Sequence, residues 1–136
     1  MVVDDNPNIL EMLSSFLEML GRGRVESFQS AAKALAAFRA DPAIHQLVIT
    51  DLEMPRTNGY ELMAHLRQNP ETRHIPVMVV TSRAGAKHRE RALHEGAADF
   101  LVKPVQEDQL VAAVARLAGT AAKLAAQKTV AAGQAG

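Results

Sequence analysis

The stretch LVITDLEMPRTNG at residues 47–59 joins an apolar run to an acid, a proline and a glycine. Its first four residues are apolar or β-branched and suit a buried strand. An ionised carboxylate such as Asp51 is costly to bury without a partner. The acid therefore has two interpretations. It is either a solvated strand end or helix N-cap, or an acid held at the carboxyl edge of a sheet to do chemistry.

Strand and helix patterns alternate along the rest of the chain. Short apolar runs predict strands at 1–3, 47–50, 76–82 and 99–104, and a weak alternating pattern predicts one more at 24–28. Helical spacing predicts helices at 6–20, 30–40, 59–69, 86–95 and 106–117. This order predicts an α/β fold, a flavodoxin-like (βα)5 doubly wound parallel sheet with strand order 2-1-3-4-5. The two central runs show almost no polar alternation, as is typical of strands covered on both faces.

Composition excludes several classes of function. The 136 residues fit one domain, and Lys+Arg and Asp+Glu both number 15, so no net charge favours nucleic acid or an anionic membrane as partner. Cysteine is absent, which excludes disulfides and thiolate metal sites. No apolar run approaches the roughly 20 residues needed to cross a bilayer. Without a basic-then-apolar N-terminal signal either, a cytoplasmic location is the default expectation.

The chain divides into a domain and a short extension. We expect residues 1–118 to form the domain and the Ala-rich residues 119–136 to be a frayed helix extension or a disordered tail. The first strand has only three residues, although the predicted order places it near the centre of the sheet. Such a short central strand indicates a chain trimmed or excised from a longer one.

Polar side chains follow four of the predicted strands at the point where each strand ends. They are Asp4 and Asp5, then Asp51, Thr81 and Lys103. Ligands of a doubly wound sheet bind at the carboxyl ends of its strands, so these residues should share one rim. Three neighbouring carboxylates repel one another, and Mg²⁺ fits because it needs few protein carboxylates. An aspartate beside Mg²⁺, an ammonium and a hydroxyl is an arrangement that accepts phosphoryl groups.

Four sequence blocks resemble the motifs of the response-regulator receiver domain, in the same order. They are VVDD (2–5), ITDLEMPRTNG (49–59), PVMVVTS (76–82) and ADFLVKP (98–104), and the resemblance covers roughly residues 1–118. The run TSRAGAKHRERALHEGAADFLVKP (81–104) further resembles receivers at the C-terminus of chemotaxis-type hybrid histidine kinases, including those that control type IV pili.

The resemblance implies a role for each acidic residue. It makes Asp51 the phosphoacceptor and, together with Asp4 and Asp5, a magnesium ligand. The backbone carbonyl of Glu53 would be a further ligand. Taken alone, the acidic pair at residues 4 and 5 has an equally good interpretation as a helix-capping cluster.

The resemblance also implies a switch. Lys103 would pair with the acyl phosphate, and a cis Lys103–Pro104 peptide bond would fix the direction from which the lysine approaches. Thr81 would hydrogen-bond the phosphate and move toward it. Phe100 stands where the family carries a switch aromatic, although Tyr is the more familiar occupant. Taken singly, Thr81 is an ordinary β-branched strand residue, Lys103 a solvated charge and Phe100 a core residue, with an inward-locked ring still open.

The implied function is two-component signal transduction. A sensor histidine kinase, or its phosphotransfer domain, would donate a phosphoryl group to Asp51, and the surface formed by residues 86–118 would switch toward a downstream protein. A phosphate sink is an alternative, and so is a small phosphatase with an aspartyl nucleophile. A flavodoxin-like cofactor binder and a degenerate receiver are less well supported. We expect no enzyme activity beyond self-catalysed phosphorylation and dephosphorylation, no nucleic-acid or membrane partner, and leave a homodimer open.

The run at residues 83–91 carries many basic side chains. Because Glu90 and Glu95 interleave with them, we interpret it as a solvated helix face and not as a nucleic-acid patch. Arg83 also has the position to pair with Glu53 across the entrance of the site, although an exposed ion pair contributes little stability.

Overall fold

The computed structural model describes residues 1–20, 24–43, 45–54, 56–83 and 85–117. Within these residues the strands are β1 (Val2–Val3), β2 (Ser27–Phe28), β3 (Val48–Thr50), β4 (Val77–Thr81) and β5 (Asp99–Val102). The helices are α1 (Pro7–Met19), α2 (Ala31–Ala40), α3 (Gly59–Gln68) and α4 (Ala86–His94), followed by α5 at residues 107–117. Pro55, the predicted helix stop at Gly21 and the predicted tail at 119–136 lie outside the described residues.

All five strands pair in parallel in the order β2-β1-β3-β4-β5, which confirms the predicted fold class. The edge strand β2 is shorter than the predicted run at 24–28, because only Ser27 and Phe28 pair with β1. Its alternating pattern was weak, and Ser27 is exposed. Strand β5 ends at Val102, two residues before the predicted stop at Pro104.

The sheet buries side chains on both faces, because successive strand residues point to opposite sides. In β4, Val77 and Val79 pack into one core cluster, and Met78 and Val80 pack into the other. Buried residues of α2, α3 and α4 complete the first cluster, and residues of α1 and α5 complete the second. The helices therefore cover both faces, as expected for a doubly wound sheet.

Short polar side chains begin three of the helices. The Asn6 side chain accepts a hydrogen bond from the Asn8 N–H, and Pro7 occupies the first turn, as the sequence predicted. Ser30 and Asn58 play the same part at the starts of α2 and α3. No helix in the described part of the chain is both long enough and apolar enough to cross a membrane.

Candidate functional site

The carboxyl ends of β1 and β3 bring three carboxylates together. Asp4 follows β1 and is 1% exposed, Asp51 follows β3 and is 6% exposed, and Asp5 is exposed to solvent. Each of the three offers a carboxylate oxygen, and these oxygens all lie within 4.8 Å of one another. The chain turn that places Asp4 is fixed by its own side chain, because Oδ1 accepts the Asn6 N–H at 2.9 Å.

Lys103 extends from the end of β5 into this acidic cluster. Its Nζ donates to Asp4 Oδ2 at 2.7 Å and to Asp51 Oδ2 at 2.9 Å. Burial by itself favours the neutral amine, but the hydrogen bonds and charges of both carboxylates outweigh burial and raise the pKa of Lys103. The lysine is therefore a fixed positive charge beside the two buried acids.

The donor set fits a hard divalent cation. One ammonium faces three carboxylates, so the cluster formed by Asp4, Asp5 and Asp51 keeps an excess of negative charge. Burial raises the pKa of Asp4, and the hydrogen bonds from Lys103 and from the Asn6 N–H oppose this rise without cancelling it. Oxygen ligands at this spacing could hold a metal ion that neutralises the excess charge.

Backbone groups orient the Asp51 carboxylate. Its Oδ1 accepts the N–H of Leu52 at 2.7 Å and that of Glu53 at 3.3 Å, while its other oxygen faces Lys103. Hydrogen bonds to an ionised acceptor are among the stronger ones in proteins. The carboxylate is thus held at the rim by the turn that follows β3. The two N–H groups and Lys103 are the partners that an acid needs when it is buried.

Thr81 and Phe100 lie on neighbouring strands. The Cα pairs are Val79 with Phe100 and Thr81 with Val102, so the Thr81 and Phe100 side chains point to the same face of the sheet. Thr81 is fully buried, and its Oγ1 accepts the Arg83 N–H at 3.2 Å. The Phe100 ring is 4% exposed and belongs to the first core cluster, so the structure shows it in an inward position.

A cis peptide bond and an exposed ion pair lie beside the rim. The Lys103–Pro104 peptide bond is cis, as the resemblance implied. The Glu53 carboxylate forms an ion pair with Arg83, and both side chains are about half exposed. An ion pair this exposed adds little stability, so its importance depends on its position beside the acidic cluster.

A cavity of about 610 Å³ opens beside the rim, between the start of α3 and α4. Asp5 lines it together with Tyr60, His88 and Arg91, and the Arg91 guanidinium lies 4.0 Å from the centre of the Tyr60 ring. The basic run at 83–91 was predicted to be a solvated helix face, and most of its side chains are exposed, but that prediction did not place His88 and Arg91 in a cavity wall. The helical spacing of His88 and Arg91, three residues apart, is the signal that places both on one side of α4.

The model of the response regulator receiver domain family matches residues 1–115 of this chain. The chain belongs to this family. The two-component response regulator ORR5 of Oryza sativa subsp. japonica is 34% identical over 106 residues, which cover 78% of this chain and 78% of ORR5. A solved receiver domain protein from Clostridium thermocellum is 27% identical with a TM-score of 0.80, covering 90% of this chain and 95% of that chain.

A third relative is much longer than this chain. The signal transduction histidine-protein kinase BarA of Shigella flexneri is 34% identical over 110 residues, which cover 81% of this chain and 12% of BarA. The chain is therefore a receiver domain of two-component systems, homologous both to response regulators and to receivers within histidine kinases. Domains of this family interact with histidine kinases or phosphotransfer partners, and they are generally not enzymes in the ordinary sense.

Proposed function

We propose that this receiver domain accepts a phosphoryl group on Asp51 in a Mg²⁺-dependent reaction in the cytoplasm. The donor is the phosphohistidine of a sensor histidine kinase or of its phosphotransfer domain. The observation that carries the proposal is the bridge of Lys103 between Asp51 and Asp4, within a cluster that keeps excess negative charge. Relatives named as a response regulator and as a histidine kinase support the same kind of partner.

In the proposed reaction an Asp51 carboxylate oxygen attacks phosphorus as the P–N bond of phosphohistidine breaks. The electron pair of that bond stays on nitrogen, and the imidazole leaves neutral when its other nitrogen carries a proton. Asp4, Asp5, Asp51 and the backbone carbonyl of Glu53 would hold Mg²⁺, which supplies charge neutralisation at the transferred phosphoryl oxygens. Lys103 is already beside the acceptor, so its charge needs little reorganisation during transfer.

The proposed output is a shift between two conformations of the surface at residues 86–118. Phosphorylation would draw the Thr81 hydroxyl away from the Arg83 N–H and toward the phosphate. The Phe100 ring, which already points inward, would shift further into the space that Thr81 leaves. Two apolar side chains within this surface, Leu93 on α4 and Val102 on β5, are 42% and 40% exposed, and a protein partner would cover them. A second copy of the chain is the alternative occupant.

The contacts of Glu53 argue against a phosphatase. A small phosphatase with an aspartyl nucleophile usually carries a second acid two residues later, and that residue here is Glu53. Its carboxylate is already paired with Arg83. We therefore infer no turnover of phosphomonoesters, only phosphorylation and dephosphorylation of the domain itself.

The decisive experiment is incubation with acetyl phosphate and Mg²⁺, followed by intact mass measurement. We expect one phosphate adduct in the natural protein, none in Asp51→Asn, and none when EDTA removes the metal. Asp108→Asn, which removes an exposed carboxylate on α5, is the matched control and should keep the adduct. A folded, Mg²⁺-supplied natural protein that takes no adduct would contradict the proposal. Steady release of phosphate from p-nitrophenyl phosphate would instead favour the phosphatase.

A further inference from the structure

Thr50 stands directly before the proposed acceptor, at the end of β3. It is fully buried, at 0% exposure. Its Oγ1 donates a hydrogen bond to the backbone carbonyl of Asp51 at 2.9 Å. A valine or isoleucine would suit the strand equally well by shape, since all three are β-branched. The hydroxyl is therefore the part of this side chain that strand packing does not explain.

The peptide unit that Thr50 holds is also the one that holds the acceptor carboxylate. The carbonyl of Asp51 and the N–H of Leu52 belong to the same peptide group, and a peptide group is planar and rigid. The Leu52 N–H donates to Asp51 Oδ1 at 2.7 Å. Fixing the direction of the carbonyl therefore fixes the direction of the N–H, and rotating this plane would weaken both hydrogen bonds.

Gly59 packs against the same peptide. A Cβ placed on Gly59 would lie 2.3 Å from the Asp51 carbonyl oxygen and 3.0 Å from Leu52 Cα, so only glycine permits this approach. The Gly59 N–H also donates to the Leu52 carbonyl at 3.1 Å. The first residue of α3 thus packs against the turn that follows Asp51, and Thr50 supports that turn from within the strand.

We propose that Thr50 is a positioning residue for phosphoryl transfer to Asp51. Its hydroxyl holds the Asp51–Leu52 peptide in the orientation that directs the Leu52 N–H at Asp51 Oδ1. This inference rests on the proposed function of Asp51. Without the hydroxyl the peptide gains rotational freedom, and the carboxylate spends less time in the geometry from which it attacks phosphorus.

The test compares Thr50→Val, which removes the hydroxyl at nearly constant shape, with Thr50→Ser, which keeps it. With acetyl phosphate and saturating Mg²⁺, we expect the maximal phosphorylation rate of Thr50→Val to fall about tenfold, the effect of one hydrogen bond of ordinary strength. Thr50→Ser should stay within about twofold of the natural protein by the same measure. The acetyl phosphate concentration at half-maximal rate should not change in either variant.

A purely structural role would alter stability without this pattern, so rates are measured where urea unfolding shows every variant to be folded. The proton chemical shift of the Leu52 amide is the second readout. It should move upfield in Thr50→Val, where the bond to the carboxylate weakens, and stay in place in Thr50→Ser. Thr50→Ala gives the same two readouts if the valine variant does not fold.

Three results would overturn the inference. They are an unchanged rate in Thr50→Val, an equal loss of rate in Thr50→Ser, and an unmoved Leu52 amide signal in Thr50→Val. If the natural protein takes no phosphoryl group at all, the proposed function fails instead. The amide shift then still decides whether the Thr50 hydroxyl orients the peptide beside Asp51.

Discussion

The two ends of the parallel sheet hold their charged side chains in different ways. At the carboxyl end, Lys103 bridges Asp4 and Asp51, and Asp5 leaves the cluster with an excess of negative charge. At the opposite end, the Arg67 guanidinium donates to the backbone carbonyls of Arg73, Ile75 and Gly96 at 2.6, 3.0 and 2.9 Å. Backbone carbonyls cannot be titrated or moved independently of the fold. A charge satisfied by them serves stability, whereas a charged cluster with an excess can bind a ligand.

Replacing Lys103 by methionine should disrupt the charged cluster at the carboxyl end of the sheet. The substitution leaves two buried carboxylates beside each other, and removing one partner of a buried ion pair costs about 4 kcal/mol of unfolding free energy. Phosphorylation by acetyl phosphate should fall by about 10²–10³, because the charge next to the acceptor is lost. Urea unfolding and intact mass measure the two effects.

Magnesium provides the internal control for that variant. Adding Mg²⁺ should restore part of the lost stability in Lys103→Met, because a cation again faces the carboxylates. Lys87→Met removes an exposed lysine on α4 and should change the unfolding free energy by less than about 0.5 kcal/mol. Equal stability of Lys103→Met and the natural protein without metal would show that the excess charge at the rim is smaller than the structure indicates.

Replacing Arg67 by methionine at the opposite end of the sheet should lower stability without lowering the phosphorylation rate. Three carbonyls lose their donor, and we expect the unfolding free energy to fall by about 3 kcal/mol. The phosphorylation rate of the folded variant should stay within about twofold of the natural protein, because the guanidinium lies at the other end of the sheet. Arg89→Met, on the exposed face of α4, is the matched control. A large loss of rate in folded Arg67→Met would mean that the two ends are coupled.

The sequence predicted the rim much better than the opposite end. The carboxyl ends of parallel strands meet at one edge, so Asp4, Asp51 and Lys103 could be placed together from strand positions alone. No such rule applies to Arg67, whose guanidinium contacts the Gly96 carbonyl 29 positions along the chain. An arginine within a helical pattern gives no sign that its partners are carbonyls.

Two local details were also beyond sequence reasoning. The edge strand β2 was predicted too long at 24–28, because edge pairing depends on how far β1 extends and not on the apolar pattern of β2 itself. Thr50 was predicted as a buried strand residue, which is correct, but its β-branched shape hides the contribution of its hydroxyl. In both cases the missing information is a specific partner supplied by the tertiary structure.

The pH dependence of stability should differ between the two ends. When the chain is prepared with Met1 as its first residue, the Met1 amino group lies at the end opposite the rim and donates to the Leu47 carbonyl at 2.8 Å. Burial lowers the pKa of this amino group from 8.0 to about 6, against the opposing charge of Glu26. The unfolded chain therefore binds the proton more readily, so stability is fully present above pH 8 and falls as the pH drops toward 6. Two pKa units correspond to about 2.7 kcal/mol.

The comparison chain for this prediction is acetylated at Met1, which removes the titrating amine and keeps an N–H. Burial and, second, the charge of the amino group lower the pKa of His45, so both chains should lose some stability below pH 6.5. The two chains are therefore compared above pH 6.5. Lys103 behaves differently, because its raised pKa gives stability that is present below pH 10.5 and lost only above it. Urea midpoints that change in parallel for the two chains between pH 8.5 and 6.5 would contradict the assignment.

The smallest expected effect concerns two glycines that differ in their surroundings. Gly85 and Gly96 both have positive φ, at 119° and 107°, so alanine is strained at either position and should cost about 1 kcal/mol. Among the residues that the structure describes, a new Cβ at Gly85 meets no atom within 4 Å, whereas at Gly96 it would lie 2.8 Å from Arg67 Nε. Because three carbonyls hold that guanidinium in place, it cannot move aside freely.

Gly96→Ala should therefore lower the unfolding free energy by about 1 kcal/mol more than Gly85→Ala, since the added methyl disturbs the Arg67 contacts. A double-mutant cycle tests whether the Arg67 side chain causes this extra cost. In an Arg67→Met background the flexible methionine can yield, so the extra cost at Gly96 should disappear while the cost at Gly85 stays the same. If the extra cost persists without Arg67, the substitution at Gly96 is opposed by the backbone of the turn before β5 and not by the Arg67 side chain.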